Sequence, residues 1–326
     1  VRSSQHSSAR PRDDVDFQLA ESPALSRSTV DRRELVRGDP GLVRALWENG
    51  RVLAVDPLGR ALVTRQDGAP HRRRLVDRPA TGAEPPEGAV LLGADGDTGY
   101  WAVPVSEGDA ETWAERVPES EREWLDLRFT GALLDDTGAG LLTTAVGLLS
   151  WHRRAAFCAN CGAPSVVSHA GWTRHCTGCG REEYPRTDPA VICLVHDGAG
   201  NVVLARQPTW PPDRYSILAG FVETGESLEH CVVREVAEEV GVQVSEVRYL
   251  GSQPWPFPRS LMVGFTALAE PSAPLRPADG EIEQAHWVPR DRVRAALRAG
   301  GGVPGLILPG ASSIARGMLE AWASAG

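Results

Sequence analysis

The apolar and polar positions of this chain divide it into two halves of different legibility. In the second half, apolar runs at 191–195 and 202–205 flank Asp197-Gly198-Ala199-Gly200-Asn201, the pattern of two strands around a hairpin turn. Residues 227–240 contain no Gly or Pro, and Leu228, Cys231, Val232, Val236 and Val240 form an apolar stripe at helical spacing. Strands follow at 247–252 and 261–268, then helices at 289–299 and 312–323. The first half is fainter. Short strands are predicted at 51–55, 61–64, 89–92 and 100–105, with Asp95-Gly96-Asp97-Thr98-Gly99 as a turn and 81–88, holding Pro85-Pro86, as a loop. Leu141, Leu142, Ala145, Leu148, Leu149 and Trp151 predict a helix over 137–154. No internal repeat is visible.

Composition adds limits. With 326 residues, 42% of them hydrophobic, the chain can build two or three domains with their own cores. No apolar run is long enough to cross a bilayer. Residues 1–29, rich in Ser, Arg and Pro, read as a disordered tail and not as a secretory signal, and Val1 reads as an alternative start codon. The formal charge of −9 argues against broad attachment to nucleic acid, although clusters such as Arg72, Arg73 and Arg74 offer local contacts. Lysine is absent, which we read as codon bias without functional weight. Six cysteines and no signal sequence point to the cytoplasm, where thiols stay reduced.

Four of those cysteines form two pairs, Cys158-x2-Cys161 and Cys176-x2-Cys179, with fourteen residues between the pairs. This is the spacing of a structural zinc site: four thiolates close a tetrahedral shell and leave no position for a reacting water. Gly162 and Gly180 follow the second cysteine of each pair, where a tight knuckle turn favours glycine. Two disulfides, or a redox pair, are the competing readings. His169 and His175 are surplus to a complete shell, and Cys193 and Cys231 sit in apolar runs that predict burial.

The stretch 220–242 carries the most chemistry. A glycine-punctuated loop, 220–226, leads into the helix, with Thr224 or Ser227 as N-cap and Gly241 just past its C-terminus. Glu235, Glu238 and Glu239 are spaced to share nearly one helix face, and three carboxylates so placed repel unless a cation neutralises them. The bland alternative, an amphipathic helix with a solvated acidic face, explains neither the glycines nor Arg234. The stretch fills every fixed position of G-x5-E-x7-R-E-U-x-E-E-x-G-U, with U a bulky aliphatic, and so resembles the box of the Nudix hydrolase superfamily. That resemblance implies a hydrolase of nucleoside diphosphate derivatives that uses magnesium or manganese, hard cations suited to carboxylate and phosphate oxygens. It also implies the fold class, α/β (α+β): a Nudix α/β/α sandwich at 187–326, preceded by a zinc ribbon at 154–186 and a mixed α+β N-terminal domain at 30–153.

Ten residues past Val242 lies Ser252-Gln253-Pro254-Trp255-Pro256-Phe257-Pro258-Arg259-Ser260, which resembles the S-Q-P-W-P-F-P-x-S array of the NADH pyrophosphatase subfamily. Its prolines stiffen the segment, and Trp255 and Phe257 offer flat apolar area for a ring. The competing reading is a proline-rich surface loop. The resemblance runs from Cys158 to the C-terminal helix and implies further roles. Tyr184 and Phe221 match the aromatics on either side of a nicotinamide ring, the tyrosine reaching across a homodimer interface. Ala219 matches a residue whose carbonyl contacts metal, and Glu281 a downstream metal-binding glutamate. Ala315 matches the nucleotide end of the site, and Arg122 a substrate arginine of the N-terminal domain. Two positions depart from the pattern: Arg259 stands where Gln is common, and Gly171 stands where an acidic contact occurs.

The implied reaction is hydrolysis of the pyrophosphate of NAD(H) to NMN(H) and AMP, and of NAD-capped RNA to NMN and 5′-monophosphate RNA. Glu235, Glu239, Glu281 and the Ala219 carbonyl would hold the catalytic cations, Glu238 or Glu239 would be general base, Arg234 would orient the carboxylates, and Glu226 would brace the loop or an outer metal. One structural zinc per subunit is expected in the ribbon. The alternatives are a Nudix hydrolase of another substrate such as ADP-ribose, and a zinc-ribbon RNA-binding protein with an inert box.

Overall fold

The computed structural model describes residues 17–270 and 274–325. The tail expected over 1–29 divides: 1–16 lie outside the described residues, whereas 17–29 are packed and correct that expectation. Phe17 is buried in one core and Leu25 in another, and Leu19 packs against the first. Three apolar residues in a polar stretch suffice to anchor it, so the segment is a strap between domains.

The N-terminal domain opens with α1 (Pro40–Glu48), capped by the Asp39 carboxylate, which accepts from the N–H groups of Gly41 and Leu42. Its sheet comprises β1 (Arg51–Val55), β2 (Arg60–Gln66), β3 (Ala69–Leu75), β4 (Asp77–Pro79), β5 (Val90–Asp95), β6 (Thr98–Pro104) and, after α2 (Glu107–Ala114), β7 (Arg122–Asp126). The path β3-β2-β1-β6-β5 is antiparallel except for β1 against β6. Side-chain alternation divides it into two faces. Leu53, Val55 and Ala102 pack with the long helix α4 (Asp136–Arg154), which follows the short α3 (Leu127–Thr130), while Val52, Ala54, Trp101 and Val103 pack with Trp47 of α1.

Helix α4 delivers the chain to a small ribbon of β8 (Ser165–Ser168), β9 (Thr173–Cys176) and β10 (Glu182–Glu183). The C-terminal domain has β11 (Asp188–His196), β12 (Asn201–Arg206), β13 (Leu218–Phe221), α5 (Leu228–Val240), β14 (Val244–Trp255), β15 (Ser260–Ala269), β16 (Gln284–Pro289), α6 (Arg290–Arg298), the short pair β17 (Gly302–Val303) and β18 (Leu306–Ile307), and α7 (Ile314–Ser324). Its mixed sheet runs β14-β15-β11-β12-β16, with β11 parallel to β15 and β13 paired to β11. Val191, Cys193 and Val195 face α5, and Ile192 and Leu194 face the core of α6 and α7, so the sheet lies between helices as the sandwich reading requires. Among the described residues no helix is long and apolar enough to cross a membrane.

Candidate active site and metal centres

The box folds as its spacing dictates. Ser227 caps α5 by accepting from the His230 N–H, and Gly241 ends it at φ 71°, the left-handed region. Of the apolar stripe, Cys231, Val232, Val236 and Val240 are fully buried and Leu228 is half-buried, which presses the helix onto the sheet. The pressed face brings Glu235 against Gly220 of β13 so closely that a Cβ on Gly220 would fall within the Glu235 carboxyl group. A side chain there would displace the Glu235 carboxyl from its place beside Arg234.

Arg234 organises the carboxylates. Its Nε and Nη2 donate to the two oxygens of Glu226, each at 2.8 Å, and Nη1 donates to Glu235 at 2.8 Å and Glu238 at 2.9 Å. Nη2 also reaches the Phe221 carbonyl at 3.0 Å. Glu226 in turn accepts the Glu223 N–H at 3.1 Å, which braces the loop. The Arg234 guanidinium holds the Glu226 carboxyl down at about 2. Burial pushes Glu235 up. Burial, with Glu235 and Glu281 nearby, pushes Glu239 up to about 8 against the opposing pull of the Ala219 N–H.

Glu239 is only 2% exposed, and its Oε2 is buried with no hydrogen-bond partner. A buried carboxylate oxygen without a donor is costly unless a cation meets it. The donor set fits magnesium or manganese: hard oxygens from Glu239, Glu235 and Glu281 in one electrostatic neighbourhood. These carboxylates form no tight cage, and Glu281 is exposed. Such ions commonly use one or two carboxylates and complete their shell with substrate phosphate and water.

The array forms the end of β14, a turn, and the start of β15. Gln253 is fully buried, its Nε2 donating to the Ser312 carbonyl at 3.0 Å while its Oε1 has no partner. Trp255 and Phe257 meet edge to face with centroids 5.0 Å apart, and both pack against the N-terminal core. The Arg128 guanidinium lies 4.0 Å over the Phe257 ring. Trp255 also lines a cavity of about 240 Å³ with Trp210, Arg214 and Met262. Pro254, Pro256, Arg259 and Ser260 line a different crevice, and Pro258 lies in the turn between the strands. Arg259 Nε is bound to Asp188 at 2.6 Å.

The remaining predicted residues are dispersed. Tyr184 is 61% exposed, with its hydroxyl donating to Glu182, and Phe221 is 57% exposed. Arg122 lies on β7 in a crevice with Glu107, Glu111 and Glu119, lined by no box residue. Ala315 is buried in the first turn of α7, with its N–H bound to the Ser313 cap. Gly171, at φ 92°, lies against Val90, whose Cβ would be 2.7 Å from an added Cβ, so packing on the N-terminal domain excludes a side chain there. Sequence reasoning missed Ser26, whose hydroxyl donates to the Ser252 carbonyl at 2.8 Å. No local pattern marks such a long-range bond.

The four cysteine sulfurs lie within 4.8 Å of one another. The Cys161–Cys176 and Cys158–Cys179 separations of 3.4 and 3.8 Å, with all cysteines free, match shared ligation and not two disulfides. Backbone N–H groups of Asn160 and Gly178 point at Cys158 and Cys176, and the Cys179 N–H helps to hold the Cys176 thiol down at about 6. Gly162 and Gly180 take φ 74° and 75° in the knuckles. This closed thiol set fits one structural zinc ion. His169 bonds Thr173 instead.

Family models match in the same order along the chain: an NADH pyrophosphatase-like rudimentary NUDIX domain over 34–151, an NADH pyrophosphatase zinc ribbon domain over 153–184 and a NUDIX domain over 186–304. The NAD-capped RNA hydrolase NudC of Mycobacterium bovis is 48% identical over 317 residues, covering 95% of this chain and 97% of that protein. The protein of the same name from Mycobacterium tuberculosis is 47% identical over the same shares. That from Chromobacterium violaceum is 40% identical over 230 residues, or 70% of this chain and 80% of its own. With near-complete coverage on both sides and all three family models in register, the chain belongs to the NudC family of Nudix hydrolases.

Proposed function

We propose that this protein hydrolyses the pyrophosphate of NAD(H), giving NMN(H) and AMP, and cuts the same bond in NAD-capped RNA, giving NMN and 5′-monophosphate RNA. The observation that carries this is the buried, partnerless Glu239 oxygen beside Glu235, on a helix that packs against β14, the strand whose end begins the proline-aromatic array. Glu239, Glu235, Glu281 and the Ala219 carbonyl would hold magnesium or manganese, which when bound polarises phosphate oxygens and acidifies a water. Glu238 is more exposed than its neighbours and is fixed by Arg234, so it is our candidate to take the proton of the attacking water. The water oxygen bonds to one phosphorus, the bridging P–O bond breaks, and the bridging oxygen leaves with the other phosphate. Arg234 and Glu226 position these groups without touching substrate. Tyr184 and Phe221 are exposed aromatics available to a nicotinamide ring, and we place Tyr184 in the site of a partner subunit of a homodimer.

The test is chromatography of products from NADH and from NAD-capped RNA with manganese. AMP and NMNH from the first, and 5′-monophosphate RNA from the second, are expected from wild type and not from Glu239→Gln. Intact substrates with wild type refute the proposal, and cleavage of ADP-ribose alone would move the enzyme to another substrate class.

A further inference from the structure

A crevice of about 390 Å³ lies where the strap, α4, the ribbon exit and the array meet. Three arginines line it, Arg32, Arg186 and Arg259, and none of its lining residues is acidic. Hydroxyls of Ser28, Thr187 and Ser260 line it as well. In a chain of net charge −9, a concave surface with three guanidinium groups and no carboxylate is a focused positive site. Asp188 stands behind it and pairs with both Arg186, at 3.0 Å, and Arg259, at 2.6 Å. One carboxylate thus serves two cations and leaves net positive charge facing the crevice. Arg32 lies 5.5 Å from the centroid of the Trp172 ring, which Arg37 covers more closely at 3.7 Å, so a further cation stands beside it.

The crevice is continuous with the array through Pro254, Pro256 and Ser260. Ser252 and Pro254, which line it, flank Gln253, whose Nε2 donates to the Ser312 carbonyl at 3.0 Å, three residues before Ala315, the position matched to the nucleotide end of the site.

We propose that this crevice binds the phosphodiester backbone of the RNA chain that a capped substrate carries beyond its adenosine. The inference rests on the proposed reading of the active site and deepens it, since free NADH has no such chain. Arginines bind phosphate through planar paired donors, and hydroxyls complete the contacts without reading sequence.

The test measures binding of a 3′-labelled 5′-monophosphate oligoribonucleotide to the zinc-loaded protein by anisotropy over a range of salt. Turnover of NADH, NADPH and NAD-capped RNA is measured in parallel. The double variant Arg32→Ala, Arg186→Ala is expected to weaken RNA binding on the order of tenfold and to flatten the salt slope by about 1.4, two contacts at about 0.7 each. The double Lys variant is expected to retain most of the slope. NADH turnover and the thermal midpoint are expected to stay as in wild type. Unchanged RNA affinity and slope overturn the inference, as does an equal loss on NADH. A loss shared by NADPH and capped RNA identifies a single-phosphate subsite and overturns the chain reading. Because binding is read without hydrolysis, an inactive wild type would sink the proposed reaction while leaving this result separately visible.

Discussion

Two clusters of anionic ligands, four thiols and a group of carboxylates, sit in neighbouring domains and are held in opposite ways. The thiols converge within 4.8 Å, are served by backbone N–H groups from their own knuckles, and make a closed set. The carboxylates are held apart: Arg234 engages Glu226, Glu235 and Glu238, while Glu239 keeps one buried oxygen without a donor. A closed set spends its coordination on the fold, whereas an open one leaves room for phosphate and water. We read residue type, spacing and the placement of one arginine as what would separate a structural ion site from a catalytic one.

The comparison can be broken most forcefully at the thiols. Cys176→Ser removes one ligand of the closed set. Structural zinc in isolated fingers contributes about 10–16 kcal/mol, and even a fraction of that lowers the thermal midpoint by roughly 10 °C or more. Scanning calorimetry with zinc analysis checks this; a normal midpoint in zinc-free protein would remove the structural role. Next in size is Glu239→Gln, which keeps shape and removes charge. Its kcat on NADH is expected to fall about 1000-fold, consistent with loss of several kcal/mol of metal assistance, while the midpoint holds. A large fall in the midpoint would instead make Glu239 a structural residue.

Acid sharpens the role of Arg234. The Glu226 carboxyl is held at about 2 in the folded protein, below its usual 4.5. A depressed carboxyl contributes stability in full above its unfolded pKa and loses it as pH falls from about 4.5 through 2. Arg234→Met is therefore expected to flatten the pH dependence of stability across that window, measured by thermal midpoints from pH 6 to 2.5. An unchanged profile would show that the pair contributes nothing. The smallest expected effect belongs to Ser26→Ala, which removes one hydrogen bond to the array, about 1 kcal/mol, and raises KM for NADH a few-fold with kcat little changed. Ser26→Thr keeps the hydroxyl and is expected to restore KM; failure to do so would assign the loss to packing.

Legibility followed the same division. Motif spacing foretold the thiol cluster and the box because their ligands are close in sequence and set by knuckle and helix geometry. The sheet strands with apolar alternation were also readable, β1 to the residue. Helix α1 was missed although Asp39-Pro40 is a helix-start signal, and β3 was missed because Arg72, Arg73 and Arg74 interrupt any apolar alternation. The strap was misread because composition counts polar residues, whereas Phe17, Leu19 and Leu25 each act through a pocket built elsewhere. Trp255 and Phe257 were recognised as an aromatic platform, but their packing on the N-terminal domain and the Arg128 cover depend on partners far away in the chain.

The division into a closed structural centre and an open catalytic one is tested most directly by titrating manganese into zinc-loaded wild type and Glu239→Gln, followed by electron paramagnetic resonance, with zinc content measured in both. Wild type is expected to bind manganese, Glu239→Gln to bind it markedly more weakly, and both to hold one zinc per chain throughout. Equal manganese binding by both proteins, or zinc loss in the Glu239 variant, would contradict that division.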